Sequence, residues 1–198
     1  FGVDLKERRG RMAEEAWRQG AGDVKLEDAF KNADGGLRQC VVLFGEPGAG
    51  KTTSLKKMLH HCLIQGSHSL GLPEGLMPVF LRLRHFSEEY LHTPLNSFID
   101  KELLDLSAGR FPEELRRDYW KDGKLLLLFD GLDEIADSNL RANVAKKIND
   151  DLVSLQDRQI FAAVSCRFTG YGDGVRLENF FPLDVKPLDG TQVEEFVK

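Results

Sequence analysis

Nine consecutive residues, Gly45-Glu46-Pro47-Gly48-Ala49-Gly50-Lys51-Thr52-Thr53, follow directly on the apolar run Cys40-Val41-Val42-Leu43-Phe44. Glycines at 45, 48 and 50 permit backbone angles that turn successive N–H groups inward, forming a nest for phosphate oxygens where a helix begins. The Lys51 ammonium would reach the β- and γ-phosphates, Thr52 would place its hydroxyl on Mg²⁺, and Thr53 would donate to the α-phosphate. A strand before and a helix after are the context this G-x-x-x-x-G-K-[ST] spacing needs. Leu55, Met58, Leu59, Cys62 and Leu63 supply the helix, keeping helical spacing as far as Gly66. The segment predicts binding of a nucleoside triphosphate through residues 45–53.

Carboxylates form the next constellation. Asp130-Gly131-Leu132-Asp133-Glu134 comes immediately after Leu125-Leu126-Leu127-Leu128-Phe129. An acid at such a strand end, across from the phosphate loop, would hold the Mg²⁺ hydration shell, and this is assigned to Asp130. Hydrolysis also needs a group that orients and partly deprotonates water, and Asp133 or Glu134 is placed for that. Three carboxylates so close repel one another, so Mg²⁺ and nucleotide together are expected to relieve the site.

A cation completes the set. In Val164-Ser165-Cys166-Arg167 an apolar run ends in a polar and then a cationic residue. If that strand lies between the loop strand and the Asp130 strand, Arg167 faces the γ-phosphate and registers its presence. The competing reading is an arginine paired with a surface carboxylate. Gly170-Tyr171-Gly172-Asp173-Gly174 beyond it is expected to be a mobile loop by composition.

Positioning these groups requires alternating strands and helices. Strands are expected at residues 40–44, 77–83, 125–129, 160–165 and 183–188. Between them, Leu95, Phe98, Ile99, Leu103 and Leu106 make one helical stripe and Leu140, Val144, Ile148, Leu152 and Leu155 another, with Ser138 as its cap. Both stripes read as core. A strand as continuously apolar as 125–129 is covered on both faces, hence parallel. The fold class is α/β, a doubly wound five-stranded parallel sheet, whose ligands sit beyond the carboxyl ends of the strands.

Composition narrows the function classes. A net charge of −5, with 30% charged and 41% hydrophobic residues, gives no electrostatic footprint for nucleic acid. The short basic stretch 6–11 is interrupted by Glu7 and reads as a solvated helix face, and Trp17 and Trp120 as packing residues. Cys40, Cys62 and Cys166 show no paired spacing, pointing to a reducing, cytoplasmic setting. No run approaches the roughly 18 apolar residues that span a bilayer. His60, His61, His68, His85 and His92 lack ligand-like spacing, which argues against zinc.

The chain starts at Phe1, and near its end Thr191 and Glu194 form a capping box ahead of Val193, Phe196 and Val197. A fragment is therefore expected: an N-terminal helical segment at 1–36, a nucleotide-binding domain at 37–190, and the start of a further helical domain at 191–198.

Residues 39–190 resemble the NACHT family of P-loop nucleoside triphosphatases, within the wider signal-transduction class that includes apoptotic and plant immune receptors. The resemblance rests on residues 45–53, on Pro78-Val79-Phe80-Leu81-Arg82-Leu83-Arg84, on residues 123–134 with Gly131 two positions before the paired acids, and on Ser165-Cys166-Arg167 with Tyr171. It implies strand order 5-1-4-3-2, Asp130 for the metal, Asp133 and Glu134 for the water, and Arg167 as a sensor. It further implies an ATP/ADP switch with Mg²⁺, in which ATP permits self-association that brings fused effector domains together, in innate immunity or antiphage defence. The Cys166-Arg167-Phe168 wording is similar to bacterial relatives. The helical and winged-helix segments of that family lie outside this sequence, as do effector and sensor regions, so slow hydrolysis and weak nucleotide retention are expected of this piece. The segment 24–30 would line the adenine by the same resemblance.

Two other classes fit the phosphate loop. A small-molecule kinase would need an acceptor pocket and an arginine-rich lid, and no such segment stands out. A nucleotide-binding scaffold would bind without turnover.

Overall fold

The computed structural model describes residues 25–32, 34–110, 112, 123–155, 158–172 and 174–185. Strands β1 (Cys40–Phe44), β2 (Met77–Arg82), β3 (Lys124–Asp130), β4 (Gln159–Cys166) and β5 (Phe181–Asp184) form one parallel sheet in the order β2-β3-β4-β1-β5. Read from the other edge this is 5-1-4-3-2, the order expected from the resemblance. The last strand starts two residues before the expected 183, and residues 186–188 of that expectation lie outside the described set. The expected elements within 1–24 and 191–198, the basic stretch at 6–11, Trp17 and Trp120 also lie outside it.

Helices α1 (Lys51–Gln65), α2 (Leu95–Leu106) and α3 (Ser138–Ser154) cover both faces. Alternation along the strands sorts the core. Val41, Leu43, Leu126, Leu128 and Ala163 pack with Leu55, Met58 and Cys62 of α1, and with Phe30 and Leu70. Val42, Phe44, Leu127, Phe129 and Val164 pack with Phe98 and Ile99 of α2 and Val144 and Ile148 of α3. Because every residue from Leu125 to Phe129 meets one layer or the other, that run can be apolar throughout.

Local differences from the expected pattern have local causes. Leu106 is exposed, because the last turn of α2 runs past the cluster that buries Leu95, Phe98 and Ile99. Leu63 is exposed on α1 beside Ile64, while Leu55, Met58 and Cys62 face the sheet. The cap of α3 is Asp137, whose carboxylate accepts from Leu140 N at 2.7 Å, rather than Ser138. A carboxylate there also complements the helix dipole. Leu83 leaves β2 to begin a 3-10 turn, Leu83–His85.

Candidate functional site

Strand β1 stops at Phe44, and the chain turns through residues 45–50 before entering α1 at Lys51. Gly48 (φ 80°) and Gly50 (φ 98°) are left-handed, a conformation L side chains resist. No side chain caps α1. Its first amides therefore lack both an intrahelical acceptor and a cap, and present an anion-binding end. Within the loop, Ala49 is buried beneath the turn, while Glu46, Pro47 and Gly48 are exposed. Lys51 Nζ donates to Gly45 O at 2.7 Å and Glu46 O at 3.1 Å, so the ammonium lies along the loop.

Parallel pairing brings the distant acids to the same edge. Strand β4 lies between β1 and β3, with Phe44 opposite Cys166 and Phe129 opposite Val164. Asp130 closes β3, and its Oδ1 accepts from Thr52 Oγ1 at 2.9 Å and from Ser165 Oγ at 2.8 Å. Ser165 Oγ in turn accepts from Gly131 N at 2.8 Å. Loop, metal-candidate strand and sensor strand are thus joined through one carboxylate oxygen.

Beyond Gly131, itself left-handed at φ 76°, a 3-10 turn carries Asp133 and Glu134. Asp133 Oδ1 accepts from Arg167 N at 3.0 Å, and its Oδ2 faces Arg167 Nε at 2.9 Å. Glu134 Oε2 lies 3.8 Å from Arg84 Nη1. The expected mutual repulsion of the three carboxylates is therefore corrected by the structure: hydroxyls satisfy Asp130, Arg167 neutralises Asp133 and Arg84 approaches Glu134. Lys51, Thr52, Thr53, Asp130, Asp133, Glu134 and Arg167 all line a single cleft of about 250 Å³ with Pro47, Gly48 and Gly50. Beneath it Cys166 is buried, and burial, followed by the charge of Asp133, pushes its thiol up to about 12.

The oxygen donors suit Mg²⁺: a hydroxyl and a carboxylate 2.9 Å apart are hard ligands. Among the described residues no cluster of three or more His, Cys, Asp or Glu side chains could hold a metal by itself. An ion held by Thr52 and Asp130 would complete its shell with phosphate oxygens and water, the usual habit of Mg²⁺ in phosphate sites.

Three further residues serve this site without a motif role of their own. Ser165 reads from the sequence only as the polar end of its strand, two positions before Arg167. Arg84 closed a quoted motif. Gly170 and Tyr171 belong to the segment expected to be a mobile loop, yet Gly170 is buried and Tyr171 packs against β1. Phe168 stacks on Phe44 at 4.7 Å, Tyr171 meets the same ring edge-on at 4.8 Å, and the Tyr171 hydroxyl accepts from Leu177 N at 2.9 Å. Of the segment expected near the adenine, Phe30 is fully buried, edge-on to Phe161 at 6.0 Å, and so belongs to the core rather than the cleft.

The family model described as "NACHT domain" matches residues 39–198. No curated protein matches the sequence significantly. Among solved structures, the chain is similar to the Aeropyrum pernix ORC2 protein in its ADPNP-ADP complexes, at 11% identity and TM-score 0.50, covering 98% of this chain and 51% of that one. It is also similar to C. elegans PCH-2 at 13% identity and TM-score 0.43, covering 96% and 45%. The chain spans about half the length of those structures. Among the described residues no helix is long and apolar enough to cross a membrane.

Proposed function

The chain belongs to the NACHT domain family of P-loop nucleoside triphosphatases, and from that premise we propose that residues 37–190 bind ATP with Mg²⁺ and hydrolyse it slowly as a conformational switch. The observation that carries this reading is the hydrogen bond between Thr52 of the phosphate loop and Asp130 at the end of β3, which sets both beside the open amides of α1.

In this reading the amides of residues 48–53 cradle the phosphates, and Lys51 exchanges its loop carbonyls for the β- and γ-phosphate oxygens. Thr52 and Asp130 hold Mg²⁺, which would neutralise charge on the β- and γ-phosphates when bound. Ser165 keeps the Asp130 carboxylate oriented from behind. Glu134, 43% exposed at the mouth of the cleft, orients the attacking water and takes up its proton. Arg167 meets the γ-phosphate and distinguishes ATP from ADP.

A nucleotide shifts a two-state equilibrium only by its different affinities for the two states. Contacts that depend on the γ-phosphate are therefore the means by which ATP would favour a self-associating form and ADP a closed one. Family membership supports this output, with fused effector domains in immune or antiphage signalling as the proposed partners. Gel filtration with light scattering, in ADP and in a non-hydrolysable ATP analogue, tests it. The reading requires a larger species with the analogue, in a chain that also contains the flanking domains.

A further inference from the structure

We propose that Asp133 is a positioning residue that clamps Arg167 over the phosphate cleft, and that it is not the group that takes the proton from water. The inference deepens the triphosphatase reading above and rests on it.

Both Asp133 oxygens are committed to one partner. Oδ1 receives the main-chain N–H of Arg167 and Oδ2 its Nε, so a single carboxylate fixes the residue at its backbone and along its side chain. The Asp133 side chain is only 10% exposed, whereas that of Glu134, the next residue, is 43% exposed. A base must reach the water it activates, and of these two cleft-lining acids Glu134 is the more exposed, while both oxygens of Asp133 are taken by Arg167.

The clamp has its own built space. A Cβ on Gly170 would stand 2.4 Å from Asp133 Cβ and 3.1 Å from its Cα, so only glycine there lets the Asp133 turn sit against β4. Gly170 N donates to Arg167 O at 3.0 Å, closing the short turn that carries both residues. The Nη groups of Arg167 are not used by the clamp, and the residue lines the cleft. A guanidinium held in this way loses little further rotamer freedom on meeting a phosphate, and preorganisation of this kind appears as affinity. Its effect falls on ligands that carry the γ-phosphate.

The test measures Kd for ADP and for a non-hydrolysable ATP analogue, with Mg²⁺, and single-turnover hydrolysis of ATP. The proteins are the wild type, Asp133→Asn, Arg167→Ala, the double variant and Glu134→Gln. The clamp predicts that Asp133→Asn and Arg167→Ala each lower the preference for the triphosphate by about tenfold and that the double variant falls no further, as coupled residues do. Glu134→Gln should keep the preference and lose turnover. An Asp133→Asn protein that keeps the preference and loses turnover as Glu134→Gln does would make Asp133 the base and overturn the proposal. If Asp133→Asn does not fold, Arg167→Lys decides, because it keeps a charge but has no Nε donor for Oδ2. Loss of preference as in Arg167→Ala supports the clamp, and a wild-type preference overturns it. A wild type that binds neither nucleotide overturns both this proposal and the triphosphatase reading.

Discussion

Thr52 and Asp130 stand 78 positions apart in the chain, yet Thr52 Oγ1 donates to Asp130 Oδ1 at 2.9 Å. Their meeting follows from topology. The helix that begins at Lys51 carries Thr52 back over the sheet, while insertion of β4 between β1 and β3 sets the end of β3 across from the loop. Ser165, from the inserted strand, supplies the hydroxyl that steadies the same oxygen.

Lys51→Ala should weaken nucleotide binding without unfolding the chain, since the ammonium donates to loop carbonyls 2.7 and 3.1 Å away rather than to the core. Losing hydrogen bonds from a charged group costs about 1.5–3 kcal/mol, or roughly ten- to 150-fold in Kd. Fluorescent-nucleotide titration measures it, and a Kd within twofold of wild type would contradict the role.

Glu134→Gln should leave nucleotide affinity close to wild type and slow phosphate release by about 10²- to 10⁴-fold, the usual contribution of a general base. A phosphate-release assay under single-turnover conditions gives the rate. Unchanged hydrolysis would return the water-orienting role to another group.

Ser165→Ala removes the acceptor for Gly131 N and one donor to Asp130 at a position 1% exposed. Stranding a buried amide costs about 1–3 kcal/mol. The thermal midpoint should fall by several degrees, and Ser165→Thr, which restores the hydroxyl, should recover part of it. An unchanged midpoint in the alanine variant would show that Gly131 N finds another acceptor.

Burial pushes the thiols of Cys40 and Cys166 from 9.0 up to about 12. The unfolded chain releases these protons first, so their contribution to stability is complete below about pH 9 and is lost as pH rises toward 12. Urea midpoints across that range should decline less steeply in Cys40→Ala/Cys166→Ala than in wild type. Parallel declines would show that other groups control alkaline unfolding.

Local and periodic signals were legible in the chain; tertiary pairings were not. The run at 125–129 and the spacing of Leu55, Met58 and Cys62 each announce an element whose burial is nearly forced by residue type, and the loop at 45–53 announces itself by its glycines and lysine. Single 3-10 turns such as Leu132–Glu134 have no period to detect. The partner of Asp133 lies 34 residues away and depends on which strand is inserted where, so the spacing could suggest two candidate bases and an arginine paired with some carboxylate, but not that Asp133 is that carboxylate. Leu106 shows the converse: a stripe in register with the core still loses its last member when the helix outruns the sheet.

Whether Thr52 and Asp130 together hold the magnesium of a bound nucleotide can be read from calorimetric titration of an ATP analogue with and without Mg²⁺. Mg²⁺ should tighten binding in the wild type, and this gain should disappear in both Thr52→Val and Asp130→Asn, while metal-free binding persists. An equal Mg²⁺-dependent gain in all three proteins would contradict that role.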